Sequence, residues 1–433
     1  MKLLNKLISV VLSAATILLM MAGMPLRKAH IGPVAGQAVN VFVAGLTCYG
    51  ELNAVHNIFP LWGMSKGDVG KALEELGYES YTASTGPFSS VWDRSCELYA
   101  QLTGGTVDYG AAHAKEHGHH RYGRSYEKPL FTGWSEQRPI NLLGHSFGGP
   151  TVRLFAELCV NGDAAERAAT PAEELSPLFR GGMHRRIKSV TVLASTNNGS
   201  TVDVAMQEGQ DLKNYLPVIG LLSRVGTTPY LNGFYDLQLE QWELSNPTGQ
   251  FRGYEFDAEK VASFLRSRDN ALIDLSIEGA ERVNERTKNL HPDIYYFSYA
   301  NSLSKPISFS QTGRQFIPIE NIGNPIYYYF GMQIGLGLGK VQVYTTLEDG
   351  RQALDPAWLQ NDGNVNLASA LYPFGQPYKI FDESSVPSGT WNVMPVLYNT
   401  GHGYYVGFDT VHGTFEELLD FYVGHMELLD QLD

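Results

Sequence analysis

Short apolar runs alternate with amphipathic stretches along the chain. Uninterrupted apolar runs predict buried strands, and stretches with apolar residues three and four apart predict helices. The predicted strands are 40–44, 78–85, 139–143, 187–194, 294–299 and 393–398, and the predicted helices are 66–76 and 151–160. Strands that alternate with helices predict an α/β fold with a mostly parallel central sheet and helices on both faces.

Two stretches fit this alternation poorly. Residues 90–122 are rich in His, Gly and Asp, and residues 203–249 carry an apolar helical patch followed by turn residues. Both are interpreted as insertions, bounded near 86–125 and 203–290, in a single domain over 39–433. A domain of this size is common among α/β folds with insertions.

The N-terminal segment has the pattern of a secretory signal peptide. Two lysines precede an almost uncharged apolar run over 7–24, and basic residues follow it. A signal peptide with a short leader is predicted over 1–38, with cleavage after Ala22 or nearer Ala38, so we expect the chain to be secreted. The alternative is a membrane anchor, because the run approaches spanning length.

Composition narrows the range of partners. The 433 residues carry a formal net charge of −13. Nucleic acids and anionic membranes bind basic patches, so neither is expected as the main partner, and no obligate protein partner is implied.

Three cysteines exclude a disulfide framework. Cys48, Cys96 and Cys159 are expected to be free and packed, with a single bridge as the alternative.

The clearest chemical motif is a G-x-S-x-G sequence at 144–148, between an apolar strand and an amphipathic helix. Such a serine stands on a sharp strand-to-helix turn, where small neighbours avoid clashes. The N-terminus of the following helix favours negative charge that develops at the site. Ser146 is therefore the predicted nucleophile, and the backbone N–H groups of Leu46 and Phe147 are predicted to form the oxyanion hole.

A nucleophilic serine needs a base, and in this type of site an acid and then a histidine follow the serine in the chain. The histidines after Ser146 are His184, His291, His402, His412 and His425. His402 lies in a glycine-containing loop after a predicted strand and is the predicted base, whereas His412 and His425 are expected to be surface or packing residues. Asp362, in an Asn-Asp-Gly turn, is the candidate acid, with a turn-forming role as the alternative.

A third pattern is an apolar stripe at helical spacing within 211–224. Its members are Leu212, Tyr215, Leu216, Ile219 and Leu222. The spacing alone favours a core helix. The alternative is a lid whose apolar face forms an acyl-binding surface over the site.

Longer stretches of the chain resemble one family. The residues that carry the resemblance include GPFSSVWDR at 86–94, ELYAQL at 97–102, GGTVDYG at 104–110, LSPLF at 175–179 and WLQNDG at 358–363. They resemble the thermoalkalophilic bacterial lipases of the Geobacillus and staphylococcal group, over nearly the whole mature chain. The resemblance implies the α/β-hydrolase fold, a triad of Ser146, Asp362 and His402, and a lid over the active site that opens at an oil–water interface.

The resemblance also implies a structural zinc site. In this family two aspartates and two histidines bind the metal, and the matching residues are Asp93, His113, His119 and Asp269. Two imidazoles and two carboxylates suit zinc. The residues alone indicate only a histidine cluster, because His117 and His120 lie in the same stretch and nothing in the spacing selects two of the four.

The chain departs from the family pattern at several positions. Gly144 and Phe147 stand where the family has Ala and Gln, and the Phe147 ring is expected to make the acyl site more apolar. The oxyanion loop at 44–46 reads Ala-Gly-Leu in place of His-Gly-Phe. Tyr404 replaces a glutamate of the family's calcium site, although Asp409 matches its aspartate. This loss argues against calcium, because hard cations need charged oxygen ligands.

Three functions fit these features. The first is a lipase or esterase acting on water-insoluble esters at an interface, such as acylglycerols and aliphatic polyesters. The second is another serine hydrolase, such as a peptidase or thioesterase, and the third is a non-catalytic binding protein. The complete triad argues against the third, and the apolar stripe favours the first over the second. The predicted function is therefore that of a secreted triacylglycerol lipase or carboxylesterase that forms an acyl-enzyme intermediate.

Overall fold

A seven-stranded sheet forms the centre of the molecule. The computed structural model describes residues 38–64, 66–201, 235–244, 258–310, 313–318, 356–408 and 413–432. The strands are β1 (Val39–Val43), β2 (Ser80–Ala83), β3 (Gly105–Asp108), β4 (Tyr122–Tyr126), β5 (Ile140–His145), β6 (Ile187–Leu193), β7 (Tyr295–Tyr299), β8 (Asn301–Ser302), β9 (Ser304–Ser310), β10 (Gly313–Pro318), β11 (Tyr378–Ile380), β12 (Trp391–Val393) and β13 (Leu397–Tyr398). The order across the sheet is β11-β12-β7-β6-β5-β1-β2. Every neighbouring pair is parallel, which confirms the predicted mostly parallel sheet.

Helices connect these strands. In the described ranges they are α1 (Val69–Glu75), α2 (Val91–Thr103), α3 (Ala111–His117), α4 (Gly148–Asn161), α5 (Ala164–Ala169), α6 (Pro177–Arg180), α7 (Ala258–Arg266), α8 (Ala271–Asp274), α9 (Ile277–Arg286), α10 (Leu367–Leu371) and α11 (Phe415–Asp430). Short 3-10 turns occupy Ala54–Asn57, His184–Arg186, Glu240–Trp242, Pro356–Leu359 and Tyr404–Val406. Both predicted helices are present as α1 and α4.

The sheet is covered on both faces, as its apolar runs predict. Successive residues of a strand point to opposite faces. Val41 and Val43 of β1 accordingly join a core with α2 and α4, while Phe42 joins a second core with α1 and α11. Parallel strands buried on both faces read as continuous apolar runs, which explains why these strands stand out in the sequence.

One predicted strand is two strands in the structure. Residues 393–398 were predicted as a continuous strand, but β12 ends at Val393 and β13 begins at Leu397. Pro395 lies between them and has no backbone N–H to donate to a neighbouring strand. β12 therefore belongs to the central sheet, and β13 pairs separately with β8.

The first predicted insertion contains part of the main fold. Within residues 90–122, helix α2 contributes Cys96, Leu98 and Leu102 to the core on one face of the sheet. The antiparallel pair β3–β4, with α3 between its strands, follows this helix, and the bounds of the insertion stay a prediction. Most of the second predicted insertion lies outside the described residues.

The three cysteines are free, as predicted, and two of them, Cys96 and Cys159, are buried. The predicted signal segment lies outside the described residues except for Ala38. In the part of the chain that the structure describes, every helix is too short or too polar to cross a membrane.

Candidate active site

Ser146 stands on a tight turn between β5 and α4. Its φ of 56° lies in the left-handed region, which is uncommon for a residue other than glycine. The Ser146 N–H donates to the carbonyl oxygen of Leu193, at 2.9 Å. The turn also leaves no room for a side chain at Gly148, because an added Cβ would lie 2.1 Å from the carbonyl oxygen of Val43. The glycine of the motif is thus required by the approach of α4 to β1.

A continuous hydrogen-bonded chain joins Ser146, His402 and Asp362. His402 Nε2 lies 2.9 Å from Ser146 Oγ, and His402 Nδ1 lies 2.8 Å from Asp362 Oδ2. The second carboxylate oxygen accepts hydrogen bonds from the backbone N–H groups of Asn364 and Val365, at 3.0 and 2.7 Å. Asp362 is completely buried, so its carboxylate is oriented by these three donors and not by solvent.

The loop that carries His402 is fixed from three sides. The His402 N–H donates to the carbonyl oxygen of Asp362 at 2.9 Å, and the Asn301 side chain donates to the carbonyl oxygen of Gly401. The ring of His145 adds a third contact, because its Nε2 lies 2.9 Å from the carbonyl oxygen of His402. Burial, together with the nearby His402, lowers the pKa of His145 to about 3, so His145 is neutral and donates from Nε2.

The predicted oxyanion loop lies directly against the nucleophile. An added Cβ at Gly45 would lie 2.8 Å from the Cβ of Ser146, which places the loop of Leu46 beside the serine. Phe147 is the N-cap residue of α4, so its backbone stands at the positive end of that helix. The structure thus brings both predicted oxyanion donors to the turn that carries Ser146.

A buried arginine supports this loop, and the sequence reading missed it. Arg94 of α2 donates to the carbonyl oxygens of Ala44 and Gly86, and its Nε donates to Thr151 Oγ1 at 3.0 Å. Burial lowers the pKa of Arg94 to about 10. The sequence gives no signal of this role, because the contacts of Arg94 with Ala44 and Thr151 join residues that are at least 50 positions apart in the chain.

The Phe147 side chain packs into the core. It is fully buried in the core, and the Arg94 guanidinium carbon lies 5.3 Å from the ring centroid. The predicted effect of this ring on the acyl site stays a prediction, because the predicted lid over that site lies outside the described residues. Its backbone stays at the site while the ring packs beneath it.

The remaining histidines have other environments. His425 is buried and bonded to Thr191 and Tyr299, at 2.8 and 2.9 Å, which confirms its predicted packing role. His184 and His291 lie near Asp293, at the amino ends of the strands. His412 lies outside the described residues, as do Asp409 and the whole stripe Leu212, Tyr215, Leu216, Ile219 and Leu222.

A second cluster unites the four predicted metal ligands. Asp93 of α2, His113 of α3, His119 and Asp269 each offer a donor atom, and these atoms lie within 4.8 Å of one another. His113 Nε2 lies 3.3 Å from an oxygen of each aspartate, and His119 Nε2 lies 3.2 Å from Asp269. Tetrahedral bonds of about 2.0–2.2 Å place neighbouring donors roughly 3.3–3.6 Å apart. The observed separations therefore match those around one ion.

Buried polar atoms that lack hydrogen-bond partners also indicate a metal ion at this cluster. Asp93 Oδ1, His113 Nε2, His119 Nε2 and Asp269 Oδ2 are buried and have no hydrogen-bond partner among the described residues. Burial raises the pKa of Asp93, and the Asp269 charge raises it further. Burial lowers the pKa of His113, but the two carboxylates outweigh this effect and raise it to about 10. A divalent cation would balance both carboxylates and accept the lone pairs of both imidazoles, so these residues can hold a metal ion.

The structure also shows which of the four histidines in this stretch belong to the metal cluster. His120 is exposed and contacts Glu243 at 2.7 Å. The His117 ring lies against the His113 ring in a tilted contact, with centroids 4.5 Å and planes 47° apart, and His117 is not one of the four clustered donors. Gln241 was not predicted, and its side chain donates to Asp93 Oδ2 at 2.7 Å, which orients that carboxylate toward the cluster.

The parallel sheet, its two helical layers and a Ser–His–Asp site at the carboxyl ends of its strands define an α/β protein with the architecture of known lipases. A family model described as "Lipase-like, C-terminal domain" matches residues 37–322, and the chain belongs to this family.

Similar proteins agree with that assignment. Lipase 2 of Staphylococcus aureus is 32% identical over 409 residues, which are 92% of this chain and 55% of that protein. The chain thus spans about half the length of the curated relatives it matches. The crystal structure of Staphylococcus hyicus lipase superposes with a TM-score of 0.76 at 29% identity, covering 94% of this chain and 100% of that one. EstA from Clostridium botulinum superposes with a TM-score of 0.73 at 32% identity, covering 94% and 92%.

Proposed function

We propose that the chain is a secreted serine carboxylester hydrolase of the α/β-hydrolase fold, a triacylglycerol lipase or carboxylesterase. The observation that carries this proposal is the hydrogen-bonded chain from Asp362 through His402 to Ser146 Oγ. Nucleophile, base and orienting acid at these distances are the groups that acyl transfer to serine requires. Secretion is proposed from the charged and then apolar pattern of residues 1–38.

The site residues have complementary roles in the proposed reaction. His402 Nε2 takes the proton of Ser146 Oγ as the oxygen attacks the ester carbonyl carbon, and Asp362 stabilises the imidazolium that forms. The N–H groups of Leu46 and Phe147 donate to the resulting oxyanion. His402 then protonates the departing alcohol, which leaves an acyl group on Ser146. Water, activated by the same imidazole, releases the acid.

The proposed substrates are water-insoluble esters. The names of the relatives support acylglycerols, and the apolar stripe within 211–224 supports an acyl-binding lid. If the stripe is a lid, replacing Leu216 and Ile219 with Asp should reduce hydrolysis of emulsified long-chain esters more than that of soluble short ones. Aliphatic polyesters present the same ester bond on an apolar surface, so their hydrolysis should be measured together with that of the emulsified long-chain esters.

We also propose that the metal cluster holds a structural zinc ion through Asp93, His113, His119 and Asp269. Two imidazoles and two carboxylates are a closed ligand set, which is typical of structural zinc. The ion would tie α2 and α3 to the segment before α8. Calcium is not part of this proposal, because Tyr404 stands where the family has a glutamate.

A substrate profile tests the proposed function. The purified protein should hydrolyse p-nitrophenyl esters and triglycerides of graded chain length, and Ser146→Ala should abolish this activity while unfolding at the same temperature. Ser125→Ala is the matched control, since Ser125 is exposed and bonds only to Thr106 in the described structure. Hydrolysis of peptides or thioesters in preference to oxygen esters would contradict the proposal.

A further inference from the structure

Two histidines and an aspartate meet at the edge of the sheet opposite Ser146. His184 precedes β6 by three residues, and His291 and Asp293 precede β7. Because β6 and β7 are parallel neighbours, with Ser189 paired to Tyr295, both preceding loops enter the sheet at its amino-terminal edge. Ser146 follows the carboxyl end of β5, so the two sites lie on opposite edges.

The three side chains present donor atoms to a common point. One nitrogen of each imidazole and one carboxylate oxygen lie within 4.8 Å of one another. The two rings are stacked with centroids 4.6 Å apart and planes 22° from parallel. Asp293 Oδ2 lies 3.9 Å from His184 Nε2 and 4.0 Å from His291 Nδ1. These distances are too long for hydrogen bonds between the side chains, so the position of the Asp293 carboxylate is not explained by a bond to either ring.

The separations suit a bridging ion. Bonds of about 2.0–2.2 Å place donors roughly 3.3–3.6 Å apart in a tetrahedral set and about 4.2 Å apart when they face each other across the metal. The observed 3.9 and 4.0 Å fall between these limits. The Asp293 side chain is 65% exposed and therefore has room to move toward an ion held by the two rings. The His291 side chain is only 20% exposed and is held by its surroundings.

The backbone holds both loops in place. The His291 N–H donates to the hydroxyl of Tyr296 at 3.1 Å, and Gly389 N–H donates to the carbonyl oxygen of Ile294 at 2.9 Å. On the other side, the indole of Trp134 donates to the carbonyl oxygen of Arg186 at 3.0 Å. The hydrogen bond from the Asp293 N–H to His291 Nδ1, at 3.2 Å, is the one that an ion bound at this nitrogen would replace.

From this geometry we infer that His184, His291 and Asp293 form a second metal site, which takes a divalent transition ion such as Zn²⁺. Two imidazole nitrogens and one carboxylate favour zinc over calcium or magnesium, which prefer oxygen ligands. Three protein ligands leave at least one coordination position for water. The site lies away from the triad, and it does not depend on the proposed ester hydrolysis.

Calorimetric titration with Zn²⁺ tests this site. Protein that already carries one equivalent of zinc, with excess metal removed, should bind a second equivalent. His184→Ala and His291→Ala should each weaken that second event at least about tenfold, the loss that removal of even an outer-shell partner can cause. Both variants should keep the first zinc. His120→Ala, an exposed histidine already paired with Glu243, should keep both events and serves as the control.

The outcomes are distinct. Loss of the second event in both histidine variants, with unchanged melting temperature of the one-zinc protein, supports the site. A wild-type protein that binds no second equivalent contradicts it, and so does a second equivalent retained by either variant. Asp293→Asn keeps the test decisive if His291→Ala does not fold, because Asp293 is exposed and its loss should also weaken the second event.

Discussion

At the scale of single residues, the proposed catalysis depends on neighbours that fix the direction of proton transfer. His402 can accept a proton at Nε2 because Asp362 holds the other nitrogen at 2.8 Å. The His145 ring bonds to the backbone carbonyl oxygen of His402, so both the ring and the backbone of the base are restrained. Two contacts on one residue define its position more closely than either would alone.

Substitution of the base and the acid should therefore impair the same step. We expect His402→Ala to reduce kcat on the order of 10⁶-fold, because it removes the base, and Asp362→Asn on the order of 10⁴-fold, because it favours the wrong tautomer. His120→Ala should leave kcat unchanged. Steady-state rates on a soluble ester measure this, and near-normal turnover by either triad variant would reject the assigned role.

At the scale of elements, the turn between β5 and α4 depends on close backbone contact. Gly148→Ala would place a Cβ 2.1 Å from a carbonyl oxygen of β1, so the helix and the strand would have to separate. Gly424→Ala provides a matched comparison within α11, because an added Cβ there meets nothing within 4 Å.

The two alanine variants should therefore have opposite effects. We expect Gly148→Ala to lower the free energy of unfolding by about 1–3 kcal/mol and to reduce activity, as overpacking does. Gly424→Ala should raise the free energy of unfolding by about 0.5–1 kcal/mol, since alanine favours the helix. Denaturant unfolding gives both values, and a stable, active Gly148→Ala protein would show that the turn tolerates a side chain.

Helix α2 contains a buried acid whose titration should be visible in stability. Burial, with Asp93 nearby, raises the pKa of Glu97 from 4.5 to about 8. The folded state therefore binds this proton more tightly than the unfolded state, and the associated stability is lost as pH rises from about 4.5 through 8. Its carboxylate accepts from Gly86 N–H at 2.6 Å, a bond that Gln can keep.

Glu97→Gln should remove this dependence. The melting temperature of the variant relative to the wild type should increase between pH 5 and pH 9, with a free-energy slope of at most about 1.4 kcal/mol per pH unit. The comparison is made in the same buffers, so titration of other groups cancels. Parallel melting curves across this range would mean that Glu97 ionises normally in the folded protein.

Local patterns in the sequence predicted the strands and the nucleophile but not the contacts that complete the site. The central strands are continuous apolar runs, and Ser146 lies in a local motif. The role of Asp362 could not be separated from turn formation, because only the fold brings it to His402. Arg94, His145 and Gln241 gave no signal for the same reason.

The break between β12 and β13 could have been predicted from Pro395, whose missing N–H interrupts a strand.

At the scale of the whole molecule, the metal cluster joins segments that are distant in the chain. Asp93 and Asp269 lie on either side of more than a hundred residues that include the nucleophile. An ion between them would restrict the unfolded chain and balance two buried carboxylates. The metal should therefore matter for stability, while the chemistry is assigned to the proposed triad.

Chelation should accordingly lower the melting temperature without removing activity from protein that stays folded. We expect a decrease of at least about 5 °C, the order implied by about 2.7 kcal/mol at a metal concentration a hundred times Kd. Elemental analysis should find one tightly bound zinc, lost in His113→Ala and retained in His120→Ala. A zinc content that His113→Ala does not change would exclude this ligand set.

The most direct test of the proposed function is a covalent label on the nucleophile. A p-nitrophenyl phosphonate ester should inactivate the protein with release of one nitrophenol per chain, and mass spectrometry should find a single phosphonyl group on the peptide that contains Ser146. Ser146→Ala should take up no label, and His402→Ala should react far more slowly. A stoichiometric label on another residue, or ester hydrolysis that persists in Ser146→Ala, would contradict the account.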